Sequence, residues 1–179
     1  MHTTKLKILN HTIELIGEEG ISGLSAGNLV KKIGMSKSTI FHHFESIDQL
    51  LIEAFDLLID LLFIQQENKY TSLQEYLEGL GEQTLYACEN YNKFITAYFM
   101  FFTKSLFNSE IKQKLKKSIT KFKNNLQNDL SPYFSKEEVK DYAELIFNSL
   151  DGMAIHYLIF KNKSKFQKSW NLLSNKIAI

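Results

Sequence analysis

The sequence predicts an all-α fold of about nine helices, and three observations carry that prediction. Apolar residues recur at three- and four-residue spacing along nearly the whole chain. No segment alternates with a strand's period of two for long enough to form a sheet. The 179 residues contain one proline, far too few for a turn-rich β chain and suited to long uninterrupted helices.

The elements follow in order. Leu6, Leu9, Ile13 and Ile16 share one face of a first helix, stopped by the Gly20-Ile21-Ser22-Gly23 turn. Ser25 caps a short second helix carrying Leu29, Val30 and Ile33, which Gly34 ends. Ser36 caps another short helix with Ile40 and Phe44 inward. Ser46 starts a long fourth helix burying Leu50, Leu51, Ala54, Leu57, Leu58, Leu61 and Leu62. Residues 72–89 form a fifth, although Gly79 and Gly81 each weaken it by about 1 kcal/mol relative to alanine. Residues 91–106 are apolar nearly all round and read as a helix buried inside a bundle. Ile111, Leu115, Ile119, Phe122 and Leu126 form a stripe opposite lysines. Past Leu130-Ser131-Pro132, an eighth helix carries Val139, Tyr142, Ile146, Leu150, Met153, Tyr157 and Phe160, and a ninth carries Phe166, Trp170, Leu173 and Ile177.

Composition removes several classes of function. The single Cys88 excludes a disulfide framework and a cysteine-based structural zinc site. The longest strongly apolar stretches, residues 94–103 and 152–160, fall short of the roughly 18 residues of a membrane span, and the N-terminus lacks a secretory signal. A soluble, cytoplasmic protein is expected. Net charge is +1, so overall electrostatics do not announce a nucleic-acid partner. All the basic residues are lysines, so bidentate guanidinium reading of guanine is excluded throughout. Charge is unevenly spread: residues 51–90 carry eight acidic side chains against Lys69 alone, whereas residues 104–123 carry seven lysines against Glu110.

The informative segment runs from Ser25 to Leu50. Two short capped helices separated by Gly34-Met35 make a helix-turn-helix unit. With Ile40 and Phe44 inward, Lys37, Ser38, Thr39, His42 and His43 face outward. Small polar side chains and a lysine at a helix N-terminus suit a major groove, where they reach base edges and phosphates. The helix starts at Ser25 and Ser36 also offer free N–H groups to phosphate oxygens. Short helix pairs of this kind also occur in proteins with no nucleic-acid role.

The run Met35-Ser36-Lys37-Ser38-Thr39-Ile40-Phe41-His42-His43-Phe44, followed by Glu45-Ser46-Ile47-Asp48-Gln49-Leu50, resembles the recognition helix and connecting-helix start of the TetR family of bacterial transcriptional regulators. Glu19-Gly20 and the capped Ser25 helix ending Ile33-Gly34 extend the likeness over residues 5–55. The resemblance implies a homodimeric repressor with a DNA-binding domain at residues 1–48 and a ligand-binding and dimerisation domain at residues 49–179. It implies DNA contacts from Ser25, Ser36, Lys37, Ser38, Thr39, Phe41, His42 and His43. It also implies that a small molecule changes the spacing of two DNA-reading heads.

Three positions depart from the family pattern. Phe41 stands where a tyrosine commonly gives its hydroxyl to phosphate, and Ile47 where a lysine commonly meets the backbone. The second helix opens Ala26-Gly27-Asn28 without the basic residue often found there. Residues 1–50 hold five lysines and five acids. Few phosphate contacts and salt-limited affinity are expected, with an operator that leans on A·T content and groove shape.

Elsewhere the aromatic cluster of residues 86–107 is the best candidate for an effector cavity, although core packing accounts for most of it. Cys88, Tyr98, Phe102 and Tyr142 are the chosen ligand-binding residues. An apolar or aromatic effector fits better than an anion, given the acidic block. The resemblance places the dimer interface on the last two helices, with Ser149, Gly152, His156, Ile159 and Trp170 as its residues; Gly152 permits close helix approach. The face of Lys112, Lys114, Lys116, Lys117, Lys121 and Lys123 reads as solvated. No Glu-x-x-His motif, acid pair or nucleophile–base pattern appears, so neither an enzyme, a metal nor a cofactor is expected. The rival expectation is a ligand-binding or protein-interaction module of the same fold with weak DNA affinity.

Overall fold

The computed structural model describes residues 2–62 and 70–178. Over these residues it contains α1 (His2–Glu19), α2 (Ala26–Ile33), α3 (Lys37–His43), α4 (Ile47–Leu62), α5 (Leu73–Asn90), α6 (Asn92–Ser105), α7 (Ser109–Leu130), α8 (Glu138–Phe160) and α9 (Lys163–Ile177), with a 3-10 turn at Ile21–Gly23 and no strand. Among the described residues no helix is long and apolar enough to cross a membrane. Glu67 and Lys69, counted in the acidic block, lie outside the described residues.

Local chemistry sets the helix ends. The Ser25 side chain accepts from the Asn28 N–H at 3.1 Å, and Ser72 caps α5 in the same way through Glu75 at 3.2 Å. At the start of α4 the Ser46 hydroxyl accepts from the Gln49 N–H (3.1 Å). The Gln49 side chain reaches back to the Glu45 N–H (2.6 Å), a reciprocal cap. Gly34 ends α2 at φ 72°, a left-handed conformation that an L side chain adopts only at a cost.

The chain divides into two compact units, residues 1–64 with 93–116 and residues 65–92 with 117–179. In the first, α1 packs on α2 and α4 around Ile8, Ile13, Ile16, Leu29, Leu50 and Leu58, and the Phe55 ring meets Phe101 at 5.1 Å. Gly17 lets α1 touch the start of α6, because a Cβ there would strike the Lys93 backbone carbonyl. In the second unit α5 packs on α8 and α9. The Trp170 indole lies against Gly81 and donates to the Leu77 carbonyl at 2.8 Å. Tyr76 donates to the Asp129 carboxylate at 3.0 Å, and burial together with that charge pushes its phenol far above its ordinary value. Glu89 accepts from the Tyr157 hydroxyl (3.2 Å) and from Lys163 (3.1 Å), joining α5 to α8 and α9.

Some sequence expectations need correction. Residues 91–106 are not buried all round: α6 hides Ile95, Ala97, Tyr98 and Phe101, while Tyr91, Met100, Phe102 and Leu106 are exposed. Aromatic density alone therefore misread a one-sided helix. On α4 the buried face is completed by Phe55 and Ile59; Leu57 and Leu62 are half-buried and Leu61 is exposed, a rotation about the axis of the expected stripe. Leu6 and Phe160, at or near helix ends, are exposed. The lysine face of α7 is not wholly solvated. Lys114 pairs with Asp56 and Lys123 with Glu144, each at 2.6 Å, and Lys123 also sits over the Phe147 ring.

Candidate nucleic-acid interface

The α2–α3 pair is built from a small apolar floor and polar outer surfaces. Leu29 and Ile40 are fully buried and Phe44 nearly so, which fixes both helices against the rest of the unit. Asn28 donates to the Gly23 carbonyl at 2.9 Å and ties the start of α2 to the turn before it. Ser36, in extended conformation, accepts from the Thr39 N–H at 3.1 Å. Its hydroxyl also lies 2.7 Å from that of Ser38 and 2.9 Å from that of Thr39. Three small hydroxyls thus cluster at the start of α3.

Six of the eight sequence-chosen residues are exposed. Ser25, Ser36, Lys37, Ser38, Phe41 and His42 are exposed, whereas Thr39 and His43 are half-buried. Phe41 keeps 45% of its surface in solvent, a large ring left uncovered on a seven-residue helix. The His42 and His43 rings meet edge to face at 5.3 Å, and His43 also lies 6.4 Å from Phe44.

Charge pairing then sorts the lysines of the head, which a count of charges does not. Lys32 pairs with Glu18 at 2.5 Å, and Lys5 pairs with Glu53 at 2.6 Å while standing over the Phe44 ring. Lys93 meets the other Glu18 oxygen at 2.5 Å. Hydrogen bonds from Lys32 and Lys93 hold the Glu18 carboxyl below its ordinary range, and Glu18 raises Lys93 in return. Among the described residues Lys7, Lys31 and Lys37 make no ion pair, and Lys31 and Lys37 are exposed on α2 and α3. Sequence reading missed Lys31 and the Glu18 junction, because Glu18 and Lys32 are brought together only by the packing of α1 on α2.

The other chosen residues are more dispersed. Cys88 on α5 is buried, and desolvation pushes its thiol up to about 11. Tyr98 is buried on α6 with ring contacts to Phe99 (5.1 Å) and Phe102 (6.3 Å), and Phe102 is exposed. Tyr142, half-buried on α8, stacks on Phe134 at 4.1 Å. Of the proposed interface residues, Ser149, Gly152 and His156 line a cavity of about 330 Å³ between α8 and α9, and Ile159 is 67% exposed. Trp170 differs from these: it is 2% exposed and its indole is held inside its own chain. A second cavity, of about 340 Å³, opens between α5 and α9. None of Cys88, Tyr98, Phe102 or Tyr142 lines either cavity.

The model for "Bacterial regulatory proteins, tetR family" matches residues 8–54, a span that runs from α1 into α4. No curated protein sequence matches this chain. Solved structures match over nearly its full length. A transcriptional regulator from Rhodococcus sp. Rha1 superposes with TM-score 0.85 at 17% identity, covering 97% of this chain and 95% of that one. A transcriptional regulator from Saccharomonospora viridis, solved in complex with choline, gives TM-score 0.81 at 18% identity, covering 96% and 95%. A TetR transcriptional regulator from Legionella pneumophila gives TM-score 0.82 at 17% identity, covering 97% and 96%. At these identities the likeness is one of fold.

Proposed function

We propose that this chain, whose residues 8–54 match the model for bacterial regulatory proteins of the tetR family, is a dimeric repressor released from its operator by a small apolar or aromatic effector. The observation that carries the DNA-binding half is the exposed surface of α3. Lys37, Ser38, Phe41 and His42 stand outward over a floor of Ile40 and Phe44, behind a serine-capped start. A helix presented this way fits the major groove, with Lys37 at a guanine edge or phosphate and the hydroxyls at base edges. Lys31 and the N–H groups following Ser25 take the flanking phosphates.

Two copies give two such heads, which DNA requires about 34 Å apart, one helical turn. The open strip around Gly152, where an added Cβ would meet nothing within 4 Å, supports close approach of a second α8 there, with Ser149, His156 and Ile159 around it. Trp170 serves that face from inside by anchoring α9. Cys88, Tyr98, Phe102 and Tyr142 remain the proposed effector contacts. Repression and release then follow from a coupling free energy: effector and DNA favour different head spacings. The protein works in the cytoplasm, on double-stranded DNA, with no catalytic step.

The pairing of Lys5 and Lys32 with acids favours the second reading, a module of this fold with weak DNA affinity. Fluorescence anisotropy on fragments of its own upstream DNA, across a salt series, separates the two. The repressor reading requires saturable, sequence-selective binding that weakens with salt. Ile47→Lys should steepen the log–log salt slope of the dimer by about 1.8, two contacts at roughly 0.9 each. Phe41→Tyr should strengthen binding by roughly 0.5–1.5 kcal/mol per head through one added hydrogen bond. Binding that ignores both sequence and Lys37→Ala would leave the second reading standing.

A further inference from the structure

The rows of α3 differ in what they face. Successive residues of a helix turn by about 100°, so residues four apart share a row. Ile40 and Phe44 form the row buried in the floor. The row of Ser38 and His42 lies roughly 160° round from it, nearly opposite, and both residues are exposed. Thr39 and His43 form a flanking row and are half-buried. His42 therefore stands on the outermost line of the helix, beside the exposed row of Lys37 and Phe41.

Little charge surrounds it. Among the described residues neither His42 nor His43 makes an ion pair or a hydrogen bond, whereas His11 on α1 lies 3.0 Å from Glu14. The contacts of the two rings are with each other at 5.3 Å and, for His43, with Phe44 at 6.4 Å. Lys5 stands over the Phe44 ring but is held by Glu53. From α2, which packs on α3, come the exposed Lys31 and the Lys32 that Glu18 holds. The corner into α4 adds Glu45 and Asp48, both exposed. On α3 itself the one lysine is Lys37.

Histidine changes charge between about pH 5 and 8. The neutral ring has one N–H donor and one acceptor; the protonated ring has two donors and a positive charge. DNA presents phosphates and groove acceptors, so it favours the protonated ring. In a head whose lysines and acids balance, one added charge on the outer row of α3 is a large share of what phosphates can attract. We infer that protonation of His42 strengthens the hold of this head on DNA, so that affinity rises as pH falls through the histidine range. The inference rests on the DNA-binding reading proposed above. Its sign follows from linkage: if DNA favours the protonated ring, binding takes up protons, and added protons tighten binding. His43, half-buried against Phe44, carries the smaller share.

The test uses a duplex that the protein itself selects from a random pool. Fluorescence anisotropy follows its binding across a salt series near pH 8 and near pH 6, on either side of the ordinary histidine transition. One added ionic contact per head should steepen the log–log salt slope of the dimer by about 1.8 at the lower pH, and tighten binding roughly tenfold at low salt. His42→Gln should abolish the difference between the two pH values, and His43→Gln should keep most of it. Calorimetry of the unmodified protein in two buffers of different ionisation enthalpy should show net proton uptake on binding. Saturable, sequence-selective binding with equal slopes at both pH values would overturn the inference and leave the DNA-binding reading standing. No saturable binding at either pH would overturn both. A pH effect that survives His42→Gln would overturn the assignment to the outer row.

Discussion

The α2–α3 head and the α5–α9 pair are held together by different means. In the head the restraints are local: Ser25 and Ser36 each cap a helix three residues on, Gly34 turns the chain, and a few apolar side chains form the floor. In the α5–α9 pair they are long-range. Leu77 and Trp170 are 93 residues apart, as Gln74 and Asn175 are 101 apart, and their contacts exist only once the unit has assembled. A surface that keeps its polar side chains outward has few buried contacts to hold it, so it relies on its own caps. A surface that frames a cavity needs its walls fixed from within.

The largest test of this contrast is Trp170→Ala. Removing a buried indole that also satisfies the Leu77 carbonyl should cost about 3–5 kcal/mol in denaturant unfolding. Gly81→Ala acts on the same contact from the other side and should cost about 1–3 kcal/mol, since the indole must move to admit a methyl group. If Gly81→Ala were neutral, the indole would have room to shift and the cavity wall would not be fixed. In the head the expected cost is smaller. Ser36→Ala removes one cap and should lose about 1 kcal/mol, with a parallel loss of DNA affinity measured by anisotropy.

The smallest effect belongs to Glu18. Its carboxyl is held below the ordinary range by Lys32 and Lys93, so its contribution is present above the ordinary glutamate value, about 4.3, and fades as pH falls through the lowered folded value. Because the group is exposed, Glu18→Gln should change stability by about 0.2–0.5 kcal/mol. Comparing the acid unfolding curves of the two proteins checks this; a shift confined to neutral pH would contradict it. A test of burial in the second unit comes from Cys88, whose thiol is raised to about 11 by desolvation. It should resist Ellman's reagent in the folded protein and react at once in denaturant. Ready labelling of the native chain would mean that α5 opens.

Much of this was legible from the residues in order. A serine before an apolar-periodic run marks a helix start because the hydroxyl accepts an N–H that has no partner in the helix. That chemistry extends over three residues and leaves its mark in the sequence. Gly34 is legible for the same reason, as the residue that tolerates a left-handed turn. With Ile40 and Phe44 placed inward by periodicity, Lys37, Ser38 and His42 are outward as expected, whereas Thr39 and His43 are half-buried and Phe41 is the exposed ring.

What the sequence could not contain was the pairing of distant groups. Gly81 looked like a weakness in α5, and only the position of Trp170 makes it the seat of an aromatic wall. The head counted as neutral, yet packing of α1 on α2 ties up Lys32 and leaves Lys31 and Lys37 outward. The exposed half of α6 was hidden by its own aromatic content. Local hydrogen bonding and periodicity decide where helices begin, end and face. Which side chains then meet depends on how those faces stack, because contacts between residues far apart in the chain form only when the helices close on one another.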